Sequence, residues 1–191
     1  MSFSRRSAER KSLKTSIHGS GECLTVQVDT SKVIVRSAYN SDWNGAMELA
    51  WNTFARFDAP DYSEEGIRNF RNFVTDETLH KMFVAGHYQL FVAVMEGRIL
   101  GMLSLREKKH ISLLFVDGEC HGNGIGTALI KFVARYAATE EGIDTLSVNA
   151  SPYAVDFYHR MGFTDIRGET EADGIRFTPM ELRINNYGKI F

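Results

Sequence analysis

Glu119-Cys120-His121-Gly122-Asn123-Gly124-Ile125-Gly126-Thr127-Ala128-Leu129 places three glycines at alternate positions immediately ahead of a helical pattern. Glycine weakens helices and strands alike, so this spacing needs a local reason. Upstream, His110-Ile111-Ser112-Leu113-Leu114-Phe115-Val116 reads as a strand ending at Asp117-Gly118. Downstream, Ile125, Ala128, Leu129, Phe132, Val133 and Tyr136 recur with helical spacing, and Gly142 ends the run. The order is strand, turn, glycines, helix. The first N–H groups of a helix lack intrahelical partners and carry the positive end of its dipole. Glycines there let a bulky anion approach the main chain, which suits phosphate. A tight turn with close helix–sheet packing and no ligand would use the same residues. Spacing alone leaves both readings open.

Working outward, Val33-Ile34-Val35-Arg36 reads as a first strand. Asn40 or Ser41 is expected to cap a helix that buries Trp43, Ala46, Met47, Ala50, Trp51 and Phe54. Pro60 breaks it, and Ser63 with Glu64 and Glu65 opens a second helix lined by Ile67, Phe70, Phe73 and Val74. A short third helix is expected over about 76–85, stopped by Gly86. Two apolar runs then flank Glu96-Gly97, a hairpin signal. Past the glycines, Asp144-Thr145-Leu146-Ser147-Val148-Asn149-Ala150 is a strand. Ser151 is expected to cap a short helix with Pro152 at its first position and Ala154, Phe157, Tyr158 and Met161 on one face. Residues 164–184 read as two strands around Glu169-Thr170-Glu171-Ala172-Asp173-Gly174. Strands alternate with helices while at least one hairpin is present. This predicts an α/β fold with a mixed sheet and helices on its faces.

The 191 residues, 43% hydrophobic, can bury one sizeable core. A net charge of −2 gives no field suited to nucleic acid or an anionic membrane. Cys23 and Cys120, far apart in sequence, argue against a disulfide framework and for a reducing cytoplasm. The longest apolar run, Leu90 to Met95, is far too short to span a bilayer. The leader carries Arg5, Arg6, Arg10, Lys11 and Lys14 against Glu9 and lacks a secretory apolar stretch. An organelle-targeting segment and a solvated, mobile tail are the two readings, the tail favoured. Residues 1–31 are taken as an N-terminal extension and 32–191 as a single domain.

The identity of an anionic ligand follows by elimination and then by likeness. A P-loop requires a Lys after the final glycine, and none follows Gly126. The dinucleotide fingerprint would need glycine at 127, which is Thr. His121-Gly122-Asn123-Gly124-Ile125-Gly126 resembles the Gln/Arg-x-x-Gly-x-Gly/Ala signature of the GNAT superfamily of acyl-CoA-dependent N-acetyltransferases, with His121 where Gln or Arg is usual. Asn149, Ala154, Phe157, Tyr158, Gly162 and Phe163 fall on a second pattern of that family. The resemblance covers about 32–185 and points to uncharacterised bacterial-type members. It implies a GNAT-like acyl-CoA N-acyltransferase fold, with a central mixed, mostly antiparallel sheet and helices on both faces. It further implies that His121, Gly122, Asn123, Gly124, Ile125, Gly126 and Thr127 hold the pyrophosphate of acetyl-CoA. Leu114, Phe115 and Val116 would pair with the pantetheine arm, which Asn149, Ala154 and Phe157 also line. A backbone N–H near Leu114 or Phe115 would donate to the thioester carbonyl, and Tyr158 would be the general acid toward the sulfur. No metal is implied.

Acyl transfer to an amine also needs a base, because a free amine with pKa near 10.4 is almost wholly protonated at pH 7. Glu107 and His110 near the start of the strand, and Asp58, Asp61 and Tyr62 between the first helices, are the candidates. Each reads more simply as a solvated loop residue, so none is assigned. Cys120 beside His121 reads as an inert loop thiol rather than a nucleophile. The leading expectation is acetyl transfer from acetyl-CoA to a primary amine, of a small molecule or peptide, by direct attack in a ternary complex. A non-catalytic acyl-CoA-binding or sensing module is the alternative, and an unrelated nucleotide-binding protein the third. Homodimers are common in the family.

Overall fold

A computed structural model describes residues 28–184, so the basic leader and Cys23 lie outside the described residues. Eight strands form the sheet in the order β1 (Ile34–Ser37), β2 (Tyr88–Met95), β3 (Arg98–Arg106), β4 (His110–Val116), β5 (Thr145–Ala150), β8 (Ile175–Arg183) and β6 (Thr164–Asp165), with β7 (Thr170–Ala172) also paired to β8. Every pairing is antiparallel except β4 with β5. The helices are α1 (Trp43–Phe57), α2 (Glu64–Val74), α3 (Glu77–Val84), α4 (Ile125–Glu140) and α5 (Val155–Arg160). This is the mixed, mostly antiparallel sheet expected from the alternation of strands with a hairpin.

Local chemistry explains most boundaries. The Glu96-Gly97 turn joins β2 to β3 with φ of +51° and +83° at its two residues, the left-handed pair a two-residue hairpin requires. The Ser63 hydroxyl accepts from the Gly66 N–H at 3.1 Å and caps α2. Asp76 caps α3 in the same way, through the Thr78 N–H at 2.7 Å. Three expectations need correction. A 3-10 turn at Asn40–Asp42 precedes α1, so neither Asn40 nor Ser41 is its cap. The last helix starts at Val155 behind a turn, and the Ser151 side chain is engaged elsewhere. The tail holds three strands, because β7 lies inside the segment read as a turn and the reversal is at Asp173-Gly174.

Two apolar layers clothe the sheet. On one face α4 lays Ile125, Leu129, Ile130, Val133, Ala134 and Ala137 against Leu103, Leu105, Ile111, Leu146 and Val148. On the other, α1 and α3 bring Trp43, Ala46, Met47, Ala50 and Leu79 against Leu90, Val92, Met102 and Leu113. Each of the larger side chains contributes about 1.5–3 kcal/mol by leaving water. Phe73, expected to line α2, is instead 37% exposed.

Candidate active site

The site begins with one extra residue. The β3–β4 register pairs Leu105 with Ile111 and Ser104 with Leu113, leaving Ser112 as a bulge. Ile111 therefore belongs to the α4 face and Leu113 to the α1 face. The same bulge marks where β4 leaves β5. The two strands pair only at His110 with Ser147 and Ile111 with Val148. Beyond it, β4 continues along β3 to Val116 and β5 along β8 to Ala150. A gap opens between Ser112–Val116 and Asn149–Ala150. The Asp117 N–H bonds to the Leu100 carbonyl at 2.9 Å, toward β3. By strand alternation Phe115 also faces β3, while Leu114 and Val116 turn their N–H and C=O groups into the gap. The Val116 carbonyl accepts from His121 Nε2 at 2.9 Å and from Thr53 Oγ1 at 3.4 Å. Of the two donors considered for a thioester oxygen, Leu114 is thus the one aimed into the gap.

The glycines at the end of β4 have separate reasons. Gly122 and Gly124 hold φ of +78° and +77° with nothing near a prospective Cβ, so conformation selects them. At Gly126 a Cβ would stand 3.2 Å from the Phe157 ring, so close packing between α4 and α5 selects it. Gly124 caps α4 with no side-chain hydrogen bond, and the helical ladder begins only at Ala128 N–H to Gly124 C=O, 2.9 Å. No acid lies in the first turn. The N–H groups of 125–127 therefore present the positive end of a helix of 16 residues.

The other residues singled out in this loop point elsewhere. The Asn123 amide oxygen accepts from the Val28 N–H at 3.1 Å, and its nitrogen donates to the Cys120 and His121 carbonyls, both at 3.2 Å. Its side chain holds the loop's shape rather than offering itself outward. The His121 ring turns back over the Val116 carbonyl and packs 4.7 Å from Phe57. Neither side chain is extended toward an anion, as the signature position would suggest for His121. Ile125 is buried in the core, and Thr127 Oγ1 bonds to the Met161 sulfur at 3.5 Å, which leaves only main chain from these two. Asn149 is exposed on β5, on the face opposite to Leu146, Val148 and Ala150. Ala154 and Phe157 are half-buried against the α4-side core. Cys120 is buried and its thiol is pushed up chiefly by burial, in keeping with an inert side chain.

Tyr158 sits on the α4 face between Phe157 and Phe163, whose ring centroids lie 5.3 and 5.1 Å away. It is 4% exposed, and burial, reinforced by the charge of Asp58, pushes its pKa up. The phenol is therefore held protonated. No hydrogen bond engages its oxygen among the described residues, where the one sealed and unpartnered side-chain polar atom is Gln89 Oε1.

The base candidates separate cleanly. Glu107 lies in the β3–β4 turn and His110 in the closed, paired end of β4. At about 3.3 Å per residue that end is some 20 Å from Val116. His110 is bonded to Ser147 Oγ at 2.9 Å, and burial lowers its pKa. Asp58, read as a solvated loop residue, is 7% exposed. Desolvation raises its pKa, the Ser151 hydroxyl pulls the other way, and Asp61 raises it further. Tyr62 is half-buried beside it and interacts with the same Ser151, its phenol also pushed up by burial. Asp61 itself is exposed. Sequence reasoning missed Ser151 and Tyr153 as members of this cluster. A separate concavity of about 370 Å³, between α1, α2 and α3, is lined by Trp43, Trp51 and His80 and does not reach the gap.

A split parallel pair, a helix N-terminus opened by left-handed glycines and a buried tyrosine on the helix after β5 belong to one end of the sheet. Residues 58–184 match the acetyltransferase (GNAT) domain family, and the chain belongs to it. It is 31% identical over 96 residues to the uncharacterized N-acetyltransferase YafP of Escherichia coli, and 38% identical over 81 residues to the uncharacterized N-acetyltransferase MJ1530 of Methanocaldococcus jannaschii. These alignments take in 50% and 39% of this chain, and 59% and 52% of the relatives' own lengths, so the likeness spans little more than half of each. Among solved structures, a GCN5-related N-acetyltransferase from Rhodopseudomonas palustris superposes with a TM-score of 0.68 at 24% identity, covering 78% of this chain and 94% of that one. The PaiA N-acetyltransferase of Thermoplasma acidophilum, in complex with coenzyme A, gives 0.66 at 19% identity, with 79% and 98% covered. At these identities the likeness is one of fold.

Proposed function

We propose that the protein transfers an acetyl group from acetyl-CoA to a primary amine of a small molecule or peptide, by direct attack in a ternary complex. The observation that carries this is the gap where β4 leaves β5, with the α4 N-terminus following β4 at that end. The coenzyme A complex of a structural neighbour supports the choice of donor. The residues at hand suit the group chemically. The 125–127 N–H groups and the open backbone at Gly122 and Gly124 would hold the pyrophosphate. Leu114 would pair with the pantetheine arm and donate to the thioester carbonyl, stabilising charge that develops there. Phe115 would serve as packing, Val116 would offer its N–H on the same edge as Leu114, and Asn123 and His121 would frame the loop. Acetyl-CoA supplies the activated acyl carbon. Tyr158, kept protonated by burial, would give its proton to the departing sulfur.

The test is a titration with acetyl-CoA followed by thiol release in the presence of amines. Acetyl-CoA at a hundred times its Kd should add about 2.7 kcal/mol of stability. Absence of any association would remove the reading. Association without amine-dependent thiol release would favour a binding module.

A further inference from the structure

Phe57 and Asp58 are neighbours in the chain, yet they reach opposite lips of the gap. A Cβ on Gly118, just past β4, would stand 2.7 Å from Phe57 Cε2, so that ring is seated on the exit of β4. Asp58 interacts with Ser151, the residue after β5. Both belong to the end of α1, which packs on the sheet face opposite α4. Tyr158 lies on the α4 face, yet the charge of Asp58 reaches it. A carboxyl group and a phenol thus stand on the two faces of one slot.

Asp58 is poorly placed for stability. It occupies the C-terminal end of α1, the negative end of the helix dipole, and is buried with Asp61 nearby. Residues set against local stability in this way are characteristic of functional sites. The groups acting on it are the Ser151 hydroxyl, Asp61 and His121, and none is a lysine or arginine. Tyr62 and Tyr158 face it as neutral phenols. Arg176 acts on Tyr62 but is clamped by Glu169 at 3.0 and 2.7 Å, and Arg56 lies over the Phe57 ring at 5.1 Å. The His121 ring donates from Nε2 to the Val116 carbonyl, which leaves Nδ1 facing the Tyr153 hydroxyl at 3.4 Å. Phe57 and Tyr153 stack at 5.5 Å, and Tyr153 is 54% exposed.

We propose that on this side of the gap Asp58 receives the acceptor's ammonium group and takes its proton, and that the acceptor is a cationic primary amine with no carboxylate beside the amine. The inference rests on the acetyl-transfer reading. Two acids, Asp58 and Asp61, attract the cation and repel a carboxylate on the same carbon. The Phe57–Tyr153 ring pair offers apolar and cation–π surface for the rest of the molecule. In the step itself Asp58 takes one proton from the ammonium nitrogen. The freed lone pair forms the C–N bond, the C–S bond breaks, and its electron pair leaves on sulfur. Tyr158 protonates that sulfur and recovers a proton from the new amide nitrogen. The proton on Asp58 returns to solvent, so one proton is released per amide formed.

The test compares amines that differ only in the carboxylate: tyramine with tyrosine, and cadaverine with lysine. Thiol release from acetyl-CoA should favour tyramine and cadaverine at least tenfold in kcat/KM. In the wild type, kcat should fall on the acid side with a limb above the ordinary carboxylate range. Asp58→Asn should bind acetyl-CoA as the wild type does, lose at least a hundredfold in kcat and lose the limb. Asp58→Glu should restore part of the rate, and Glu107→Gln should keep it within about twofold. Equal or reversed preference, or no release with any of the four, overturns the acceptor class. Full turnover in Asp58→Asn overturns the base. Either result with acetyl-CoA still binding leaves acetyl transfer standing, whereas failure to bind acetyl-CoA removes the transfer reading itself.

Discussion

Replacing Tyr158 by Phe separates chemistry from folding unusually well. The hydroxyl has no hydrogen-bond partner among the described residues, so the fold loses no bond when it goes. The ring contacts with Phe157 and Phe163 are unchanged, because Phe keeps the same ring. The hydroxyl oxygen is not among the sealed, unpartnered polar atoms of the described residues, so its removal should leave stability within about 1 kcal/mol. Loss of a general acid lowers the rate by about 10²–10⁴, or roughly 2.7–5.4 kcal/mol in the barrier. Two measurements decide: thermal unfolding with and without acetyl-CoA, and thiol release across pH. Melting temperature and acetyl-CoA affinity should hold while kcat falls. Because burial pushes the phenol up, the wild type should show no basic limb from Tyr158 in the ordinary assay range. Turnover unchanged at every pH would refute the acid role, and a matching fall in melting temperature would assign Tyr158 to the core.

Gly122→Ala with Gly124→Ala forces alanine into the left-handed region at about 1–2 kcal/mol per site, since no neighbour obstructs the new methyls. Denaturant unfolding should register roughly 2–4 kcal/mol for the pair, and acetyl-CoA affinity should fall at least tenfold. Folding favours the protonated form of Asp58, so its contribution is present at low pH and is lost as pH rises through its raised folded value. Asp58→Asn has no such loss. It should melt above the wild type at pH 7, with the difference shrinking toward pH 4, as read by melting curves at both. Deleting Ser112 removes the bulge while keeping Ile111 and Leu113 on opposite faces. The protein should still fold by circular dichroism but bind acetyl-CoA poorly, because a regular β4 can pair further along β5.

Elements set by neighbouring residues were legible. The α4 stripe, the Glu96-Gly97 hairpin and the Ser63 cap each depend on a few adjacent positions. The glycine loop was legible as a helix entry, and its three glycines resolve into two of conformation and one of packing. What escaped depends on partners distant in sequence. Ser151-Pro152 has the form of a helix start, but the serine hydroxyl is drawn to Asp58 and Tyr62, which lie some ninety positions earlier. Asp58 ahead of Pro60 has the composition of a solvent turn, and its burial appears only once β4 and β5 end beneath it. The Ser112 bulge leaves no mark in composition, because a polar residue in an alternating strand is ordinary. His121 was placed by its motif, yet the Val116 carbonyl freed by the splayed strand captures its ring.

The location of the site follows from the one exception in the sheet's topology. Antiparallel neighbours send their carboxyl ends in opposite directions, so no two such ends meet. Among the described residues β4 and β5 are the one neighbouring pair that runs the same way, and both are followed by helices, α4 and α5. The carboxyl ends of these two strands, with the start of each helix, therefore gather at one edge. In open α/β sheets ligands sit outside the carboxyl ends of strands, where connections diverge. Here the bulge at Ser112 adds a slot at that point, joining the α4 face to the α1 face. In the proposed reaction a donor bound from the α4 side and an acceptor bound from the α1 side would meet without either crossing the sheet. The same arrangement explains why the phenol and the buried carboxyl group come from opposite faces. In the proposed reaction each would handle a different proton.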